Sequence, residues 1–174
     1  MLDLLIPTIA QGLLWSLLAL GVYITFRVLD IADLSVEGTF PLGAAVAATC
    51  ITSGHSLVTA FVLAVLAGCV AGAVTGLLTT KLKIPALLSG ILTMIGLYSI
   101  NLRVMGRANL SLLGQTTIYS WGASAGLTEA QTTLAVGLIA ALLVVAVVYW
   151  FFGTEIGLAL RATGYNPQMS RAQG

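Results

Sequence analysis

Asp30, Asp33 and Glu37, with Ser35 between them, stand close together in the run Arg27-Val28-Leu29-Asp30-Ile31-Ala32-Asp33-Leu34-Ser35-Val36-Glu37-Gly38 and make up half of the six acidic residues of the chain. Spaced i, i+3 and i+7, the three carboxyls share one face if the run is helical. Ionisable groups at membrane depth are costly and mark polar paths for solutes, ions or protons. A solvated loop at a membrane surface, with Asp30 paired to Arg27, accounts for the same residues, and depth in the bilayer decides between the two. A second constellation is Gly122-Ala123-Ser124-Ala125-Gly126, which fits the G-x-S-x-G string of serine hydrolases. A serine nucleophile needs a base within hydrogen-bond reach, and the single histidine is His55. The flanking residues show no strand-to-helix pattern, so an intramembrane serine protease using Ser124 ranks behind the other readings, and His55 reads as a hinge residue. Cys50 and Cys69 lie in apolar runs without metal-ligand spacing, where a thiol packs as a small hydrophobe.

The elements that must position these groups are membrane helices. Of the 174 residues, 59% are hydrophobic and only 7% charged, with a mean hydropathy of +1.05. Soluble domains carry about 25% charged residues. A net charge of +1, from scattered Lys and Arg, excludes a nucleic-acid partner that relies on a clustered basic surface. The start Met1-Leu2-Asp3 lacks the positive region of a cleavable signal, so the first apolar run reads as a retained helix.

About 20 apolar residues cross the roughly 30 Å of hydrocarbon. On that measure the sequence predicts spans over about residues 4–26, 38–53, 57–80, 84–102 and 130–152. Thr52-Ser53-Gly54-His55-Ser56 is the turn between the second and third, and the second is short enough to need burial among other helices. Gly68, Gly72 and Gly76 recur at every fourth position in the third span and predict a ridge for close helix packing. Residues 103–128 are polar and rich in Gly, Ser and Thr, as befits a surface loop, and Tyr149-Trp150-Phe151-Phe152 forms an aromatic belt.

After the fifth span, residues 153–174 read as two short surface helices. Thr154-Glu155 suits a helix start, Gly164 a left-handed C-cap, and Asn166-Pro167 an N-cap followed by proline at the first helical position. With this segment in the cytoplasm, Arg27, Lys81, Lys83, Arg161 and Arg171 are inside and only Arg103 and Arg107 outside, in agreement with the positive-inside rule. The N-terminus is then outside.

The run Gly157-Leu158-Ala159-Leu160-Arg161-Ala162-Thr163-Gly164-Tyr165-Asn166-Pro167 resembles the cytoplasmic coupling segment of bacterial ABC-importer permeases of the branched-chain amino-acid and ribose type, and Asp33-Leu34-Ser35-Val36-Glu37-Gly38 resembles the stretch after an early helix of the same family. More narrowly, residues 81–93 and 98–107 resemble the subgroup assigned to aromatic amino-acid (tryptophan or tyrosine) uptake. The resemblance implies an all-α polytopic bundle of about five membrane helices plus coupling helices, forming the N-terminal portion of one permease domain in the bacterial cytoplasmic membrane. It implies a second permease subunit, a cytoplasmic ATPase dimer, an extracytoplasmic solute-binding protein and a small polar solute, with Arg161, Ala162, Thr163, Gly164, Asn166, Pro167 and Arg171 docking on the ATPase. No Walker A string occurs, so ATP and magnesium belong to the partner and the chain itself is expected to hold no cofactor and to catalyse no reaction. The helix opened by Asn166-Pro167 has no C-cap before Gly174, which predicts further spans. An ion-coupled secondary transporter or channel using Asp30, Asp33 or Glu37 is the alternative, and it lacks the internal repeat that such proteins often show.

Overall fold

The computed structural model of the protein describes residues 2–172, apart from 116, 119, 121, 123–125 and 127. The described residues form helices and connecting segments without strands. Helix α1 spans Leu2–Tyr23 and continues as a π turn, Ile24–Val28. There follow α2 (Val36–Thr52), α3 (Leu57–Thr80), α4 (Ala86–Met105), α5 (Glu129–Gly153), α6 (Glu155–Tyr165) and α7 (Pro167–Ala172). Four stretches are long and apolar enough to cross a membrane: α1 with its π turn, α3, α4 and α5. At about 1.5 Å per residue α2 reaches only some 26 Å. The helices end where backbone donors find local acceptors or where glycine permits a left-handed turn. Ser56 and Thr128 cap α3 and α5, the latter in a capping box with Gln131. Gly54 and Gly106 take φ values of 80° and 67° after α2 and α4.

The chain divides into two compact units, 1–32 with 122–174 and 33–121. In the first, α1 packs along α5. The contact is close because Gly137 offers no side chain: a Cβ there would stand 3.2 Å from Leu13 Cβ and 3.6 Å from the Ala10 carbonyl oxygen. Ala10 is buried. Small residues at the crossing let backbones approach, which is how helices gain dispersion energy in lipid, where apolar side chains have no water to escape.

In the second unit α2 lies against both α3 and α4, around Leu42, Ala71 and Leu97. Two hydroxyl rungs tie α3 to α4. Thr75 donates to Thr93 at 2.9 Å, and the Thr79 and Ser89 hydroxyls are 2.6 Å apart. The numbering of the rungs runs in opposite directions along the two helices, so they are antiparallel. Helices α2 and α4 are parallel: Gly38 sits on Met94 and Leu97, and eleven positions later the Thr49 hydroxyl reaches the Val104 carbonyl at 3.3 Å. Most large apolar side chains of α3 and α5, such as Phe61, Val70, Leu142 and Trp150, face outward. That distribution suits a lipid-facing surface rather than a water-soluble fold.

The register of α2 on α4 sets a depth. Gly90, which meets Asp33, Leu34 and Ser35, lies about 6 Å along a helix some 30 Å long, and Met94, which meets Gly38, about 12 Å along it, so α2 begins within the first third of the α4 span and not at its end. Residues 29–35 are non-helical. Asp30, Asp33 and Glu37 therefore do not share a face of one helix. The condition for a shared face, a helical run, is not met: the Asp33 carboxylate accepts from the Ser35 N–H at 2.8 Å, and α2 starts only at Val36.

Candidate functional site

At one end of the first unit, α6 folds back across the end of α5. Thr154 makes the corner: its hydroxyl donates to the Phe151 carbonyl at 2.6 Å and accepts from the Gly157 N–H at 3.3 Å. Gly157 is buried, and a Cβ there would overlap the backbone of Phe151 and Phe152. The Arg161 guanidinium donates to the Phe152 carbonyl and stands 5.6 Å from the centre of the Phe152 ring. Its charge is thus spent partly on holding α6 to α5, through a cation–π contact and an otherwise unpaired C-terminal carbonyl.

One turn further, Gly164 meets the π turn of α1. A Cβ at Gly164 would overlap the Val28 carbonyl oxygen and stand 3.1 Å from Leu29 Cα. Gly164 is helical, within α6, and not the left-handed C-cap that its type and position predict. The helix ends two residues later at Asn166, whose extended backbone (φ −154°, ψ 94°) turns the chain. Glycine is needed here for the approach of two backbones, and Asn166 supplies the break. The Asn166 N–H donates to the Ala162 carbonyl at 3.0 Å, and its side-chain oxygen accepts from the Gln168 and Met169 N–H groups, both at 3.1 Å, to start α7 at Pro167. Thr163 bonds back to the Leu160 carbonyl at 2.7 Å. Arg171 lies in α7. On α6 and α7, Ile156, Leu158, Tyr165 and Met169 are exposed.

The π turn itself is built on Leu29 N–H to Ile24 carbonyl (3.1 Å), after which Asp30 takes φ 53°. Asp30 is exposed and lines a cleft of about 480 Å³ with Arg27, Arg161 and Tyr165. Positive φ is uncommon for a non-glycine residue, and Asp is among the types enriched there.

In the second unit, Asp33 and Ser35 form the start of α2. Ser35 is buried, and its carbonyl accepts from Gly38 and Thr39 at 3.0 and 2.9 Å. The Asp33 carboxylate lies against Gly90 of α4, where a Cβ would be 2.8 Å from Asp33 Oδ1 and 2.7 Å from Leu34 N. Glu37, one turn on, is exposed. Gly68, Gly72 and Gly76 of α3 have no atom of the described residues within 4 Å of where a Cβ would stand. Instead, α3 buries Ala60, Ala71 and Thr75. Of the Gly122–Gly126 string, Gly122 packs on Thr132 and Gly126 takes φ 76°, while Ser124 lies outside the described residues. His55 follows the Gly54 turn, its N–H donating to the Cys50 carbonyl at 3.1 Å.

The family described as branched-chain amino acid transport system, permease component, matches residues 4–174. The chain belongs to that permease family. A relative named tyrosine transport system permease protein, from Clostridioides difficile (strain R20291), is 39% identical over 170 residues, covering 98% of this chain and 55% of the relative. An uncharacterized protein of Rickettsia prowazekii (strain Madrid E) is 34% identical over 168 residues, covering 97% of this chain and 57% of that one. The chain thus spans just over half the length of these two relatives. No solved structure matches it significantly. Permease-family membership agrees with four helices long and apolar enough to cross a membrane, as expected of a multi-pass membrane protein.

Sequence reasoning missed the glycines that this permease chain uses for close contact, Gly38, Gly90, Gly137 and Gly157. Nothing in their spacing marks them. It also missed the hydroxyl rungs, for which a signal existed: Thr75 with Thr79, and Ser89 with Thr93, each repeat at four residues and so place hydroxyls on one face.

Proposed function

We propose that the chain is the N-terminal part of a permease subunit of an ABC importer, translocating an amino acid, of the aromatic class, with ATP hydrolysed by a partner. The observation that carries this reading is the way α6 is fixed. Gly157 and Arg161 hold it to the end of α5, and Gly164 seats it on the π turn of α1, so a push on α6 moves membrane helices and not a loose tail. The family match and the tyrosine-transport name of the Clostridioides relative support the solute class. A segment that resists bending is what force transfer from an ATPase requires, and its exposed Ile156, Leu158, Tyr165 and Met169 offer an apolar surface to a groove.

In this reading Asp33, Ser35 and Glu37 lie at a helix start inside the span, a common place for a transport site. A second permease subunit completes the pathway, an extracytoplasmic binding protein delivers the solute, and the Gly68-Gly72-Gly76 ridge accepts a helix from outside this chain. The N-terminus is outside and α6–α7 cytoplasmic in the bacterial inner membrane. With Cys50 and Cys69 replaced by serine, a cysteine at Gln168 is expected to react only from the cytoplasmic side and to cross-link to the ATPase, and one at Ser111 only from outside. Labelling of both positions from one side would defeat the topology. Cytoplasmic labelling of Gln168 with no cross-link would defeat the docking role.

A further inference from the structure

Between α2 and α4 opens a cleft of about 410 Å³, lined by Glu37, Pro41, Met94, Tyr98 and Asn101 among others. That volume lies in the range of small-molecule sites. Its walls are apolar, and two polar groups stand out. Glu37 is in the first turn of α2, within the span of α4 by the register of Gly38 on Met94 and Leu97. Asn101 is only 7% exposed, and its Oδ1 has no hydrogen-bond partner among the described residues.

A buried, unpaired carboxamide oxygen is rare in a folded protein and calls for a partner. Asn101 lines the cleft, and its unpaired oxygen can accept from a donor there after rotation of the carboxamide. Glu37, when ionised, only accepts. A carboxylate within a membrane span attracts a cation more strongly than one in bulk water wherever the bound group is shielded from solvent. The complementary ligand carries an ammonium group with hydrogens to give and an apolar body to lie along Pro41 and Met94.

We infer that this cleft is a solute subsite in which Glu37 binds a primary ammonium group and Asn101 supplies the neutral hydrogen-bond partner, with Tyr98 at the rim against the apolar part of the ligand. The inference rests on the permease reading and names the chemistry that the pathway recognises. Asp33 is not part of it, since its carboxylate is already committed to the Ser35 N–H.

The test is binding of radiolabelled L-tyrosine to the assembled transporter in nanodiscs, without the solute-binding protein. Saturable binding is expected, displaced by tyramine, which keeps the ammonium, and not by 3-(4-hydroxyphenyl)propanoate, which lacks it. Glu37→Gln and Asn101→Leu are each expected to weaken binding by about tenfold or more, as befits loss of a charge-assisted or buried hydrogen bond, with insertion and ATPase association unchanged. Displacement by the propanoate as readily as by tyramine, displacement by sodium ion alone, wild-type binding in both variants, or no saturable binding would overturn the inference. If the variants instead fail to insert, the wild-type competition still decides. Absence of ATP-driven uptake by the wild-type transporter is the separate result that removes the permease reading itself.

Discussion

Gly164→Val is expected to leave the subunit inserted while uptake falls far below what its ATPase activity would support. The first valine carbon would overlap the Val28 carbonyl oxygen and crowd Leu29 Cα, so α6 must lift away from the π turn of α1. Overpacking of this kind costs about 1–3 kcal/mol, and a coupling energy of that size corresponds to roughly 5–150-fold. Gly164 is helical and not in the left-handed region, so the clash with Val28 is what excludes a side chain there, and Gly164→Ala is expected to be harmful too because the clash already involves Cβ. Solute uptake and ATP hydrolysis measured together on the same vesicles check this. Equal coupling in wild type and both variants would show that α6 does not transmit force through Val28.

Gly38→Val is expected to have the largest effect on folding. Its Cβ would stand 2.8 Å from Met94 Cα and 3.2 Å from Leu97 Cδ1, and a helix backbone cannot move aside as a side-chain tip can. The parallel α2–α4 pair must separate, which also strains the Thr49–Val104 bond farther along the pair. A loss on the order of 1–3 kcal/mol follows, with little offset from helix propensity because β-branched valine is itself a poor helix former. Gly43, on the same helix, has no described atom within 4 Å of its would-be Cβ, and Gly43→Ala is expected to be neutral or stabilising. Thermal unfolding of the two purified variants in detergent distinguishes them. A Gly38→Val melting curve matching that of wild type would mean that α2 and α4 do not meet as described.

These glycines show where the sequence speaks and where it does not. Apolar runs define the long helices because hydropathy over some 20 residues is a property of composition and needs no knowledge of neighbours. The starts at Ser56, Thr154 and Asn166 are legible for a similar reason, since capping is chemistry within four residues. A glycine, by contrast, serves a turn, a close approach or an open face equally well, and only the partner backbone tells which. Gly164 reads as a turn and is an approach. Gly68, Gly72 and Gly76 read as an approach, with no described atom of this chain over them.

The acidic cluster was legible as a place and not as an arrangement. Its residue types mark it as unusual for a membrane protein, yet the helical spacing of Asp30, Asp33 and Glu37 pointed to a shared face that the chain does not form. A side chain that captures the next N–H, as Asp33 does, interrupts the helix on which such spacing depends. Asn101 showed in the sequence only as a polar residue within a predicted span. Its isolation becomes visible only when α4 lies against α2 and nothing meets its oxygen.

The most direct measurement of the central claim is uptake of radiolabelled L-tyrosine into proteoliposomes that hold the complete subunit with its ATPase partner and solute-binding protein. Accumulation is expected to require ATP, to stop when the ATPase is omitted or inactivated, and to be lost in Gly164→Val while hydrolysis continues. Uptake that proceeds without the ATPase on an ion gradient, or ATP-driven uptake indifferent to α6, would contradict that claim.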